Sequence, residues 1–145
     1  MNYKGIVDKF KEIVLDHKMI HDFGYGDLSD IKVVAEDNDG AGEADYPYAF
    51  LNPAGIQQNN AARTMSFNLI IMEMVADDFL KIQSDCIQYL DDIIAKFNRD
   101  SQDDIVLSYT VTVFKERFQD EVAGATASIQ VRTKEAKDDC ITPFN

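Results

Sequence analysis

The stretch DFLKIQSDCIQYLDDIIAKFNR, residues 78–99, decides the fold. Its apolar side chains Phe79, Ile82, Cys86, Leu90, Ile93, Ile94 and Phe97 recur at steps of three and four. That period keeps one face of an α-helix apolar. Asp77, Asp85, Asp91, Asp92 and Lys96 fall mostly outside the stripe. Asp77 or Asp78 is the expected N-cap, because a short carboxylate accepts the free N–H groups of a first turn. Lys96 and Arg99 stand near the other end, where cations suit the helix dipole. Such a helix needs a sheet or another helix to cover its stripe, and the sequence on either side of it reads as β.

On the N-terminal side lies RTMSFNLIIMEMV, residues 63–75. Met65, Phe67, Leu69 and Ile71 alternate onto one face. Ser66 and Asn68 begin the other, which turns apolar at Ile70, Met72 and Met74. A strand apolar on both faces is covered on both. The domain's own helices supply one cover, and a loop or a neighbouring subunit the other. On the C-terminal side, Ile105, Leu107, Tyr109, Val111 and Val113 alternate with Ser108, Thr110 and Thr112, which predicts a strand with one buried face. Ala125, Ala127, Ile129 and Val131 alternate likewise, so a final strand returns antiparallel. Between these two, KERFQDEVAG (residues 115–124) reads as a turn or arm, with Phe118 and Val122 as apolar residues in a charged connection.

Working outward, Ile6, Phe10, Ile13, Val14 and His17 predict a second amphipathic helix within residues 2–18. HDFGYGDLSD follows and reads as a turn, broken by Gly24 and Gly26. Residues 31–35 are a short β candidate. EDNDGAGEADYP, residues 36–47, is an exposed acidic loop whose carboxylates are Glu36, Asp37, Asp39, Glu43 and Asp45. Residues 48–51 form a short strand closed by the turn signal Asn52-Pro53-Ala54-Gly55, and residues 56–62 look like polar connection. The tail ends in Ile141, Pro143 and Phe144, an apolar tip that should dock on its own domain or on a neighbour. The order α, β, β, β, α, β, β predicts one α+β domain. It comprises an antiparallel β-sheet of about four to five strands with two amphipathic helices packed on one face.

The net charge is −12, from 26 acidic and 14 basic residues. Such a surface repels phosphate backbones and argues against sequence-reading nucleic-acid binding. It gives solubility, and it suits a basic protein partner. No run of about 18 apolar residues is present. The N-terminus carries charges throughout, without the apolar core of a signal peptide, which points to a reducing cytoplasm. The two cysteines fit, with Cys86 on the helical stripe and Cys140 in the tail.

Candidate chemistry is sparse. His17 and His21 are four apart on a helix that frays near Gly24, and sequence places no third ligand beside them. The acidic loop fails the calcium pattern: with Gly40 at the sixth position, Ala35 falls at the first and Tyr46 at the twelfth. The pairs Asp77-Asp78, Asp91-Asp92, Asp103-Asp104 and Asp138-Asp139 read as caps and surface charge rather than as a general acid–base couple. No nucleophile elbow, phosphate loop or zinc motif occurs. The reading is of a protein without catalysis, metal or cofactor.

The layout resembles the small tail-terminator or tail-completion proteins of long-tailed bacteriophages. The likeness rests on the amphipathic N-terminal helix, the long strand RTMSFNLIIMEMV with a helix directly after it, the hairpin IVLSYTVTVFKERF…ATASIQVRT, and a tail ending DDCITPF. The acidic loop lies outside the family pattern. The resemblance implies a structural virion protein of the phage tail or neck, made in the host cytoplasm. It would form a homo-oligomeric ring, commonly a hexamer, that caps the tail-tube protein and presents a surface to the head-connector protein. Genomic DNA would pass through the lumen without sequence-specific binding. Ile70, Met72, Met74, Phe118, Val122, Ile141 and Phe144 are then the candidate subunit or partner contacts. Glu36, Asp37, Asp39, Glu43 and Asp45 are a candidate acidic partner or lumen surface. The rival readings are another tail or baseplate adaptor, or a small cytosolic ligand-binding or enzyme domain.

Overall fold

The computed structural model describes residues 2–28, 45–59, 62–75, 78–101, 104–117 and 121–134. Two helices, α1 (Tyr3–Asp16) and α2 (Phe79–Asp100), pack on one face of a five-stranded sheet. Its strands are β1 (Asp22–Tyr25), β2 (Tyr48–Asn59), β3 (Ala62–Met74), β4 (Asp104–Arg117) and β5 (Glu121–Lys134). Their order across the sheet is β1-β2-β3-β5-β4. β1 runs parallel to β2, and every other pair is antiparallel. The α+β fold and the placement of both helices on one face are as expected.

Each helix is set by its caps and its stripe. Asn2 Oδ1 accepts the Gly5 N–H at 2.8 Å and starts α1. Asp78 Oδ1 accepts from Leu80 and Lys81 at 3.1 and 3.4 Å and starts α2, so Asp78 is the N-cap; Asp77 lies outside the described residues. Ile6, Phe10, Ile13 and Val14 of α1 are buried, as are Cys86, Leu90, Ile93, Ile94 and Phe97 of α2. Phe10 joins the layers. Its ring stacks on Phe97 at 4.6 Å and meets the edge of Phe67 of β3 at 6.0 Å. Tyr3 adds a stack on Phe67 at 5.7 Å, and its hydroxyl bonds that of Tyr25 in β1.

β3 sits at the centre and is covered on both faces. Met65, Phe67, Leu69 and Ile71 meet the helices. On the opposite face Ile70 and Met72 join Tyr48, Phe50 and Val122 in a second buried cluster, with Tyr46 and Phe114 packed against it. That cluster is buried within the single chain, so this half of the face is already covered without a neighbour. Beyond it the same face turns polar, with Ser66, Asn68, Ser128, Gln130 and the exposed Arg132. Ser128 Oγ donates to Asn68 Oδ1 at 3.1 Å, and Asn68 Nδ2 reaches Asn52 Oδ1 at 3.4 Å, linking three strands.

Four expectations need correction. HDFGYGDLSD is not only a turn, since Asp22–Tyr25 is the edge strand β1. Gly24 is required there: a Cβ would lie 2.2 Å from Tyr48 Oη and 2.8 Å from Phe50 Cδ2. Residues 52–59, read as turn and connection, continue β2 through a bulge between Pro53 and Gly55. The arm at 115–124 is largely strand, because β4 runs on to Arg117 and β5 begins at Glu121, leaving Phe118 outside the described residues. The fourth concerns β4. A bulge between Val106 and Ser108 shifts its alternation. Val106, facing Val131, is the buried residue at that end. Ile105 points to the other face, and Leu107 is the residue left over. The strand candidate at 31–35 also lies outside the described residues.

Candidate functional site

The first place to look is where the two histidines stand. They do not form a pair. His17 is the C-cap of α1, and its Nδ1 accepts the Met19 N–H at 3.2 Å. The ring proton is therefore on Nε2, which donates to Asp92 Oδ2 of α2 at 3.0 Å. Tyr89 meets the ring edge-on at 5.2 Å. Asp92 also accepts Gln88 Nε2 at 2.8 Å. The His17 hydrogen bond is the main reason its carboxyl lies below the ordinary aspartate range, against the opposing effect of burial. His21 instead donates from Nδ1 to the Tyr46 carbonyl at 2.8 Å. Among the described residues no group of three or more His, Cys, Asp or Glu is placed to hold a metal ion.

A cleft of about 350 Å³ opens beside His17 between α1 and α2, lined by Ile13, Asp16, His17, Asp92, Lys96 and Arg99 among others. Lys96 spans it, with Nζ 3.8 Å from Asp16 and 3.5 Å from Asp100. Only the Asp16 pair crosses from α2 to α1; Asp100 is on α2 itself. Surface ion pairs of this kind contribute little each, about 0–1 kcal/mol.

The acidic pairs divide their work between elements. Asp78 caps α2, Asp92 holds His17, and Asp91 accepts the Tyr109 hydroxyl at 2.9 Å, tying α2 to β4. Asp104 is buried at the start of β4. Asp138 and Asp139 lie outside the described residues, as do Glu36, Asp37, Asp39 and Glu43. Asp45 is exposed, and its N–H is 3.4 Å from Asp22 Oδ2. Cys86 is buried. Burial, with Glu73 and Asp85 nearby, pushes its thiol up to about 12, which makes it unreactive.

Of the candidate contact residues, Ile70, Met72 and Val122 are buried in the chain itself and Met74 is exposed. Phe118, Ile141 and Phe144 lie outside the described residues. Other apolar residues reach solvent besides Met74. Ile105, Leu107, Tyr109 and Val113 of β4 are all exposed, as are Ile56 of β2 and Phe79 and Leu80 at the start of α2. For the β4 residues the sequence signal is β alternation, which predicts a buried face; Ile56 falls in a stretch that reads as polar connection, and Phe79 on the helical stripe. The edge position of β4 and its bulge, which decide their exposure, are set by pairing. A scan of protein-family models finds no match to the chain, and neither does a search of curated proteins.

Proposed function

We propose that the chain is a structural assembly subunit of the phage tail-terminator kind, forming a ring that ends the tail tube and joins it to the head connector. The observation that supports this reading best is the outer strand of the sheet. β4 keeps Ile105, Leu107, Tyr109 and Val113 at 43, 48, 40 and 50% exposure, on a strand that no described strand flanks on its outer side. Water-exposed apolar side chains on a long strand edge are an aggregation hazard unless another chain covers them. A subunit whose working state is an assembly meets that condition. The sequence layout of helix, long strand, helix and closing hairpin supports the same reading.

Light scattering and negative-stain imaging of the purified chain test it, alone and with tail-tube protein. The expected result is closed rings of uniform size. A strict monomer that remains monomeric in the presence of tail-tube protein overturns the reading.

A further inference from the structure

The two outer edges of the sheet share a property with its interior strands that the helices lack. The chain carries −12, yet no charged residue occurs from Tyr48 to Ala62 or from Ile105 to Phe114. The first stretch holds β2 and the second most of β4. β1 covers β2 only along Tyr48–Leu51, so no described strand lies beside the part of β2 centred on Ile56. Ile56 is 55% exposed. Both edges thus offer strand backbone and apolar side chains with no carboxylate of their own; on β4 the Tyr109 hydroxyl holds Asp91 of α2.

Resting on the reading of the chain as an assembly subunit, we propose that β4 of one copy pairs with the Ile56 edge of β2 in the next copy, so that one sheet runs through the assembly. Three observations select this occupant. The first is charge. Two strongly acidic copies repel wherever carboxylates face each other, and these two stretches are where they do not. A basic partner would be drawn to the acidic surfaces instead. The second is direction. β2, β3, β5 and β4 alternate, so β4 runs opposite to β2. Joining the two edges with all helices on one side is therefore an antiparallel pairing. The third is level. Ile56 is opposite Met65, Met65 opposite Val131, and Val131 opposite Val106. The exposed Ile56 at one edge stands on the same row of the sheet as Val106 and the bulged Leu107 at the other. Because the two patches differ, the contact is heterologous, the kind that builds a ring where its rotation closes and never a two-fold dimer.

The test uses the full chain with Cys140→Ser, which leaves only buried Cys86 as a native thiol. Ile56→Cys and Leu107→Cys are made singly and mixed, and a third chain carries both; each sample is oxidised with copper-phenanthroline. The pairing predicts disulfide dimers in the mixture, a covalent ladder from the double variant, and neither from the single variants alone. Leu107→Lys is expected to reduce the assembled mass to that of a monomer while the thermal midpoint moves by no more than about 2 °C, since the site is exposed. Self-crosslinking of Leu107→Cys alone would show β4 paired with β4, which overturns this inference and leaves the assembly reading standing. Rings that persist with Leu107→Lys and give no Ile56–Leu107 crosslink do the same. A wild-type chain that never leaves the monomer overturns both.

Discussion

His17 Nε2 donates to Asp92 Oδ2 at 3.0 Å, so the C-cap of α1 is fastened to α2 by a side-chain hydrogen bond that crosses the helix layer. The Met19 N–H on His17 Nδ1 sets the tautomer that makes this possible. The two helices are joined in sequence only through most of the sheet, and this bond, with the Phe10–Phe97 stack and Lys96, sets how they lie together.

That bond gives the acid limb of stability a specific contributor. The Asp92 carboxyl is held below its ordinary 3.8 chiefly by His17. A folded-state value below the unfolded one stabilises the fold above the unfolded pKa, and the gain is lost as pH falls through the folded value. Asp92→Asn should therefore cost about 0.5–1 kcal/mol at pH 6, a modest figure because the carboxylate is 45% exposed. The difference from wild type should shrink below about pH 3.8. Urea unfolding between pH 3 and 7 measures it, and a difference that is constant across this range rules out the mechanism.

Phe10 touches both Phe97 and Phe67. Phe10→Ala should cost about 3–5 kcal/mol, the usual range for removing a buried aromatic ring. Phe97→Ala should cost a similar amount. The double variant should lose less than the sum, by roughly 0.5–1.5 kcal/mol, because the two rings share one contact. Equilibrium denaturation of the four chains settles it.

Two glycines make a contrast. A Cβ on Gly24 would meet side-chain atoms of Tyr48 and Phe50, whereas one on Gly124 would lie 1.9 Å from the Ile71 carbonyl oxygen. Both alanine variants should lose about 1–3 kcal/mol through overpacking. Tyr48→Phe should recover part of the loss in Gly24→Ala, since it removes the atom at 2.2 Å. No side-chain truncation should rescue Gly124→Ala, because its obstacle is backbone. Thermal melts of the single and double variants distinguish the two cases.

Cys86 should resist thiol reagents. With Cys140→Ser, labelling at pH 8 should follow global unfolding, because the thiol is buried and pushed up to about 12. Fast labelling of the native chain would place Cys86 nearer solvent than its position on α2 allows.

The helices and the inner strands were legible because their side chains carry the signal themselves. The stripe from Cys86 to Phe97 and the alternation of Met65 to Ile71 correspond to residues that are buried in the fold, while Phe79 at the head of the stripe is exposed. The outer strands were not. β1 is four residues with a glycine under two aromatic rings, and a parallel neighbour rather than its own composition makes it a strand. In β2, Pro53 and Gly55 signal a turn but form a bulge that lets the strand continue. In β4 one extra residue moved Ile105 and Leu107 off the row of Tyr109 and Val113, a shift of phase that alternation cannot report. The assembly surface was harder still. Ile70 and Met72 looked as if they needed a neighbour, and the chain itself buries them.

The two bulges have a joint effect. One lies in β2 between Pro53 and Gly55 and the other in β4 between Val106 and Ser108, and Gly55 and Ser108 stand on one row through Ser66 and Gln130. Each outer strand therefore spends one more residue than the central strands β3 and β5 to cover the same height. A bulge takes up its extra residue by bending its own strand and raising the local right-handed twist. Both rims therefore gain twist at one level of the sheet, the row marked by Gly55, Ser66, Gln130 and Ser108.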